Sequence, residues 1–120
     1  MISGLRVLVV ADNEDASDSL SACLRLEGHD VRIALDGRQA LLIARAFAPS
    51  CVLLDISMPG MDGREVARNL RAAYGMALVL IAITGWGDPE LRMTGVFADF
   101  DHYLRKPIDM NLLPKVLSQS

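Results

Sequence analysis

Between residues 51 and 63 the chain reads CVLLDISMPGMDG, an apolar run followed at once by an aspartate. Residues 51–54 are apolar without interruption, which is typical of a strand buried on both faces of a sheet. Asp55 therefore stands at the carboxyl end of a predicted strand. Comparable runs recur on both sides of it, and we predict strands at residues 5–10, 31–34, 51–54, 77–83 and 102–104.

Segments with a helical spacing of apolar residues separate these strands. The first predicted helix is capped by Asn13 or Asp15 and ends at Gly28. The second covers residues 37–47 and the third residues 64–74, while two weaker helices follow the fourth and fifth strands. The residues predicted to face inward are Ala16, Leu20, Cys23, Leu24, Ala40, Leu41, Ala44, Val66, Leu70, Ala73, Leu112, Leu113, Val116 and Leu117.

Strands that alternate with helices predict an α/β fold, in which helices cover both faces of a parallel sheet. Because crossovers between parallel strands are right-handed, a doubly wound sheet of five strands with five helices is the simplest topology. No repeat, low-complexity tract or Pro/Ser-rich linker divides the chain. We therefore expect one domain over residues 1–120, with any ligand bound beyond the carboxyl ends of the strands.

The composition excludes several classes of function. Of the 120 residues, 52% are hydrophobic and 22% charged, which favours a folded core over disorder. The net charge of −3 makes direct binding to nucleic acid unfavourable. The longest apolar run, residues 76–83, is too short for the roughly 20 residues of a membrane span, so we expect no membrane insertion. The first ten residues do not read as a secretory signal, and we expect a cytoplasmic location.

Four polar residues follow four of the predicted strands: Asp12, Asp55, Thr84 and Lys106. In a doubly wound sheet they converge on one crevice. Carboxylate oxygens suit a hard cation such as Mg²⁺, and the ammonium and hydroxyl groups suit an anion. Together these groups favour a phosphoryl ligand, because the charge on its three oxygens must be neutralised.

Four stretches carry a resemblance to a known family: VVADNED at 9–15, LLDISMPGMDG at 53–63, ITG at 83–85 and LRKP at 104–107. In order and spacing they resemble the receiver domain of two-component response regulators. The segment TGWGDPE at 84–90 further resembles receivers of hybrid sensor kinases. The resemblance implies a flavodoxin-like fold with strand order 2-1-3-4-5 and chemistry that the domain performs only on itself.

The resemblance also implies how phosphorylation would occur. Asp55 would accept a phosphoryl group from the phosphohistidine of a histidine kinase or phosphotransfer protein, acting as the nucleophile. Mg²⁺ would be held by the carboxylates of Asp12 and Asp55 and by the backbone carbonyl of Ser57. Lys106 would pair with the acceptor or phosphoryl oxygens.

A conformational switch is implied as well. Thr84 would donate its hydroxyl to the phosphoryl group, and Tyr103 occupies the aromatic position that swings inward when Thr84 moves. The bond between Lys106 and Pro107 is the candidate cis peptide. The resulting change in surface would alter contacts with a downstream protein or with fused domains.

Two features depart from the family pattern. Receivers usually carry two adjacent acids after the first strand, and here Ala11 stands in place of the first of the two. Losing a group that orients metal-bound water predicts a roughly 10- to 100-fold weaker affinity for Mg²⁺, unless Glu14 or Asp15 compensates. In addition, Gly95 and Asp99 weaken the predicted fourth helix.

The missing acid leaves a second function open, that of a pseudo-receiver that binds partners without being phosphorylated. Binding of Mg²⁺ and reactivity of Asp55 separate the two. A flavin-binding electron carrier of similar topology is disfavoured, because no Gly/Ser/Thr-rich phosphate loop follows the first strand and Asp12, Glu14 and Asp15 would repel the phosphate of the cofactor.

Overall fold

The computed structural model describes residues 4–11, 14–56, 63–84, 100–105, 111 and 117, without the side chains of residues 14–17, 64, 76, 84, 103 and 105. Within this part the chain forms five strands and three α-helices. In chain order they are β1 (Arg6–Val10), α1 (Glu14–Leu26), β2 (Asp30–Ala34), α2 (Gly37–Phe47), β3 (Cys51–Asp55), α3 (Gly63–Tyr74), β4 (Val79–Thr84) and β5 (His102–Arg105), with a 3₁₀ turn at Gly75–Ala77.

The strands form one parallel sheet in the order β2-β1-β3-β4-β5. The strand order expected from the sequence is thus confirmed, and the chain has a doubly wound α/β architecture. Of the five predicted helices, the first three are present. The fourth, and all of the fifth except Leu117, lie outside the described residues.

The sheet buries apolar side chains on both faces, as the uninterrupted strand sequences predicted. One face of β1 and β3 packs with α2 and α3 in a cluster that includes Leu8, Val10, Val52, Leu54 and Leu70. The opposite face packs with α1 and with Leu117 in a second cluster that includes Val7, Val9, Leu24 and Leu53. Alternate residues of each strand enter opposite clusters, so β1 and β3 are fully enclosed.

The structure excludes one of the two predicted caps of α1. Its first residue is Glu14, so Asp15 lies inside the helix and cannot be its N-cap. The other candidate cap, Asn13, lies outside the described residues. Along the inward stripe of α1, Leu20 and Leu24 are buried, whereas Cys23 is only partly buried.

Helix α2 has the predicted bounds and is capped by a residue that the sequence reading did not single out. The carboxylate of Asp36 accepts a hydrogen bond from the N–H of Gln39 at 2.8 Å, and Leu35 N–H donates to Gln39 Oε1 at 3.0 Å. The reciprocal pairing satisfies backbone donors at the helix start. Ala48, with φ of 52°, ends the helix before Pro49 can interrupt it.

The predicted fourth strand begins two residues too early. Ala77 closes the 3₁₀ turn, and β4 starts at Val79. The guanidinium of Arg71 explains the turn, because it donates to the carbonyls of Gly75 at 2.8 Å and Leu78 at 2.6 Å. The third helix also differs in two details, since it begins at Gly63 and since Ala73, predicted to face inward, is exposed.

The same arginine anchors the amino-terminal edge of the sheet. Arg71 donates to Asp101 Oδ2 at 2.8 Å, and this oxygen also accepts from Leu80 N–H at 2.9 Å. In return, Asp101 N–H donates to Leu80 O at 2.7 Å. Partial burial acts to raise the pKa of Asp101, but the hydrogen bonds from Leu80 and Arg71, with the charges of Arg71 and His102, hold that pKa below its usual value.

The two cysteines carry no disulfide. Cys51 is fully buried in β3, and its burial, together with the charge of Asp101, raises the pKa of the thiol to about 12. The thiol therefore stays protonated at neutral pH and serves as a small core side chain. No helix in the described portion of the chain is long and apolar enough to cross a membrane.

Candidate functional site at the carboxyl edge of the sheet

The carboxyl ends of the strands meet at one edge of the sheet, and the strand register places Asp55 and the backbone of Thr84 there. Val10 pairs with Leu54, so Ala11 and Asp55 each follow a paired residue on neighbouring strands. Asp55 in turn pairs with Ile83, and Thr84 pairs with Arg105. The last described residues of β1, β3, β4 and β5 thus end at a common edge, where open α/β sheets bind ligands.

Asp55 is the last residue of β3 and is 4% exposed. The ladder continues one residue beyond it, because Ile56 N–H donates to Ile83 O at 3.0 Å. Because the residues before and after Asp55 are both paired with β4, the Cα atom from which its carboxylate extends is held in place. Burial of a carboxylate costs free energy unless hydrogen-bond donors or a cation compensate its charge. A buried carboxylate at this edge therefore suits a site for a cation and an anionic ligand.

The start of α3 closes against the residue after Asp55. A Cβ atom on Gly63 would lie 3.0 Å from Ile56 Cγ2 and 3.1 Å from Ile56 Cα. These separations are tighter than ordinary van der Waals contacts, so the helix approaches the end of β3 this closely only with glycine at position 63. Gly63 was not among the residues predicted for the site; the Asp-Gly ending of the motif at 53–63 is the signal that marks it.

Ala11 occupies the position at which the resemblance implies an acid. It is 6% exposed and belongs to the apolar cluster beside α2 and α3. Its N–H donates to Ala34 O at 3.0 Å, which extends the pairing of β1 with β2 by one residue. A methyl group packed in the core therefore stands where an acid was expected, and this end of β1 is less polar than the resemblance implies.

The predicted site residues differ in how much the structure describes. Asp55 is described in full, whereas Thr84 and Tyr103 are placed in β4 and β5 by their backbones alone. Asp12, Ser57, Lys106 and Pro107 lie outside the described residues, so their roles stay predictions. Asp12 directly follows Ala11 in the sequence, and Lys106 directly follows Arg105.

A complete metal site is not found in the described part of the chain. Over residues 4–11, 14–56, 63–84 and 100–105, no group of three or more His, Cys, Asp or Glu side chains could hold a metal ion. Two of the three predicted Mg²⁺ ligands, Asp12 and Ser57, lie outside those ranges. The one described ligand, Asp55, offers the carboxylate oxygens that Mg²⁺ prefers.

Comparison of the sequence with known proteins identifies relatives of the same kind. The chain is 38% identical over 109 residues to the response regulator MprA of Mycolicibacterium vanbaalenii, covering 91% of this chain and 47% of that protein. It is 39% identical over 102 residues to the DNA-binding response regulator MtrA of Mycobacterium tuberculosis, covering 85% and 44%. The chain thus spans about half the length of the curated relatives it matches.

Solved structures agree with this result. The chemotaxis protein CheY4 of Vibrio cholerae superposes with a TM-score of 0.88 at 27% identity, covering 98% of both chains. A response regulator described as putative from Chloroflexus aurantiacus gives a TM-score of 0.87 at 26% identity, covering 98% of this chain and 97% of the other. The finer resemblance to receivers of hybrid sensor kinases is not supported by these relatives. The family profile of the response regulator receiver domain matches residues 7–118, and the chain belongs to that family.

Proposed function

We propose that residues 1–120 act as a single phosphoryl-accepting receiver of a two-component system, with Asp55 as the acceptor. The observation that carries the proposal is the position of Asp55. It is a 4%-exposed carboxylate at the carboxyl end of a central strand, in a chain that belongs to the receiver family. The proposed location is the cytoplasm, where its phosphoryl donors act.

The proposed reaction is a phosphoryl transfer between two side chains. A carboxylate oxygen of Asp55 attacks the phosphorus of a phosphohistidine, and an oxygen–phosphorus bond forms as the nitrogen–phosphorus bond breaks. The imidazole leaves and takes up a proton, and Asp55 carries an acyl phosphate. Later attack by water on phosphorus restores the carboxylate and releases inorganic phosphate, so the domain performs chemistry only on itself.

Mg²⁺ is the cofactor that the family implies, and the residues available fit it. Asp12, Asp55 and the carbonyl of Ser57 would hold the ion. When bound, the ion neutralises charge that accumulates on the phosphoryl oxygens during transfer. The ammonium of Lys106 would supply a further positive charge to the phosphoryl oxygens.

The proposed switch runs through β4 and β5. Thr84 closes β4, and its strand partner is Arg105, two residues beyond Tyr103 in β5. A hydrogen bond from the Thr84 hydroxyl to the new phosphoryl group would draw the end of β4 towards Asp55. Tyr103 would follow inward, with a cis bond before Pro107 holding Lys106 in place.

The proposed partners are a histidine kinase or phosphotransfer protein and a downstream protein or fused domain. MtrA is named a DNA-binding response regulator, and the present chain covers 44% of it. Output through an attached or separate domain is consistent with that ratio. The chain itself, with its net charge of −3, is proposed to make no direct contact with nucleic acid.

A second candidate function is a pseudo-receiver, and the packing of Ala11 in the core favours it specifically. The experiment that separates the two is intact-protein mass spectrometry after incubation with acetyl phosphate, at several Mg²⁺ concentrations and with a chelator. The proposal predicts one phosphoryl adduct that requires Mg²⁺, at a concentration raised by the missing acid. Absence of any adduct, with acetyl phosphate and with a phosphorylated histidine phosphotransfer protein, would contradict it and favour the pseudo-receiver.

A further inference from the structure

The face formed by α2 and α3 contains an apolar groove remote from the carboxyl edge of the sheet. The groove has a volume of about 460 Å³ and is lined by Leu41, Leu42, Arg45, Ala73 and Tyr74. Leu42 is 60% exposed, although leucine is a side chain that folding normally covers. We call these five residues the α2–α3 groove.

The charge beside the groove is opposite to that of the whole chain. The protein carries a net charge of −3, yet α2 has two arginines and no acidic residue. Arg38 and Arg45 are exposed, and in the described part of the chain neither takes part in an ion pair. Seven residues of helix place them on the same face, about 10 Å apart along the axis, with Leu41 and Leu42 between them.

This pattern fits one kind of occupant. A trough between two packed helices receives a third helix through side chains spaced at i, i+3, i+4 and i+7. Leucines flanked by free arginines require apolar anchors flanked by acids. We infer that the α2–α3 groove docks an amphipathic helix of a partner protein, whose apolar stripe covers Leu42 and whose acidic residues, two turns apart, pair with Arg38 and Arg45.

The inferred surface is separate from the proposed phosphorylation chemistry. Arg45 and Tyr74 lie near the carboxyl-terminal ends of α2 and α3, whereas Asp55 lies beside the start of α3. Docking therefore requires neither Mg²⁺ nor a phosphoryl group, and failure of phosphorylation would leave it unaffected.

A model peptide tests the inference with the unphosphorylated chain. The probe is a fluorescently labelled helix of about 18 residues built from Leu, Ala and Glu, long enough to be helical in isolation. Leucines form one stripe, and glutamates flank it at seven-residue spacing. A second peptide has lysine in place of every glutamate. We expect the acidic peptide to give saturable fluorescence polarisation and the basic peptide to bind at least about tenfold more weakly.

Variants of the protein identify the surface. Leu42→Glu and Arg45→Glu are expected to weaken binding of the acidic peptide at least about tenfold. Two controls match them. Leu26→Glu changes a leucine that is 89% exposed on α1, and Arg6→Glu changes an exposed arginine at the start of β1, so both are expected to alter binding less than about twofold. Circular dichroism of each variant serves as the control for folding.

Several results would overturn the inference. Equal binding of both peptides would exclude charge recognition, and wild-type affinity in the Leu42→Glu variant would place the site elsewhere. No binding of the acidic peptide would remove the occupant that we infer. Sedimentation that shows self-association of the wild type, lost in Leu42→Glu, would assign the groove to a second copy. Pelleting with phosphatidylserine vesicles, lost in Arg45→Glu, would assign it to a membrane.

Discussion

The two edges of the sheet use charged residues in opposite ways. At the amino edge, Arg71 and Asp101 bond to each other and to the backbone of Leu78 and Leu80. At the carboxyl edge, Asp55 is nearly buried beside the apolar Ala11, where the strand register gathers the ends of four strands.

This difference separates stability from chemistry. At the amino edge, the hydrogen bonds of Arg71 and Asp101 fix where α3 ends and where β4 and β5 begin. At the carboxyl edge, the carboxylate of Asp55 lies at the end of a paired strand and next to the close start of α3, where open α/β sheets bind ligands. Substitutions at the amino edge should therefore affect unfolding, and substitutions at the carboxyl edge should affect phosphorylation.

Arg71→Ala should produce the largest loss of stability. It removes hydrogen bonds to Gly75 O, Leu78 O and Asp101, and leaves a carboxylate and two carbonyls without this donor. We expect the free energy of unfolding in urea to fall by about 2–3 kcal/mol. The control Arg68→Ala, at an exposed position one turn earlier, should change it by less than about 0.5 kcal/mol. Equal effects of the two variants would contradict the claim that the hydrogen bonds of Arg71 stabilise the fold.

Ala11→Asp should instead change phosphorylation at the carboxyl edge. Restoring the family acid is expected to lower the Mg²⁺ concentration for half-maximal phosphorylation by about 10- to 100-fold. Because position 11 is 6% exposed, the new carboxylate should also cost about 1–2 kcal/mol of stability without Mg²⁺. The control Ala72→Asp adds the same charge at an exposed position of α3. An unchanged Mg²⁺ requirement in Ala11→Asp would contradict the role given to the missing acid.

Two glycines, one at each edge, should respond differently to alanine. Gly63→Ala places a Cβ 3.0 Å from Ile56, so we expect a loss of about 1–2 kcal/mol and slower phosphorylation of the neighbouring Asp55. Gly75→Ala meets open space but has a φ of +62°, so we expect a loss of about 1 kcal/mol and an unchanged phosphorylation rate. Urea unfolding and the rate of adduct formation test both. Equal rates of Asp55 phosphorylation in the two variants would contradict the proposed difference between the two edges.

Asp101 should give the smallest effect, and it should depend on pH. The folded-state pKa of Asp101 lies below its unfolded value of 3.8. Its ionised form therefore stabilises the fold above that value, and the contribution disappears as pH falls through the folded-state pKa. Asp101→Asn should lose under about 1 kcal/mol at pH 7, since solvent screens the partly exposed pair. The difference from wild type should narrow below about pH 4; a constant difference would contradict the ion pair.

Local sequence was sufficient to predict the buried strands and the position of Asp55. Residues 51–54 are uninterrupted by polar groups, which is typical of a strand enclosed on both faces of a sheet. The order of the strands came from the resemblance to receivers. The bounds of α2 were also correct, because residues 37–47 keep helical spacing up to a proline two positions later.

Features that depend on distant contacts were not predictable. The start of β4 was wrong because Arg71 holds the 3₁₀ turn, and the bond between Arg71 and Asp101 joins residues thirty positions apart. The absence of an acid at Ala11 was visible in the sequence, but its packing in the core was not. The roles of Asp12, Ser57, Thr84, Tyr103, Lys106 and Pro107 stay predictions.

The most direct measurement is to locate the phosphoryl group by mass spectrometry in three proteins treated with acetyl phosphate and Mg²⁺: wild type, Asp55→Asn and Asp101→Asn. Reduction of the acyl phosphate with borohydride marks the modified aspartate for peptide sequencing. We predict one modified residue, Asp55, in wild type and in Asp101→Asn, and none in Asp55→Asn. An adduct that persists in Asp55→Asn, or one located on another residue of the wild type, would contradict the assignment of the chemistry to the carboxyl edge.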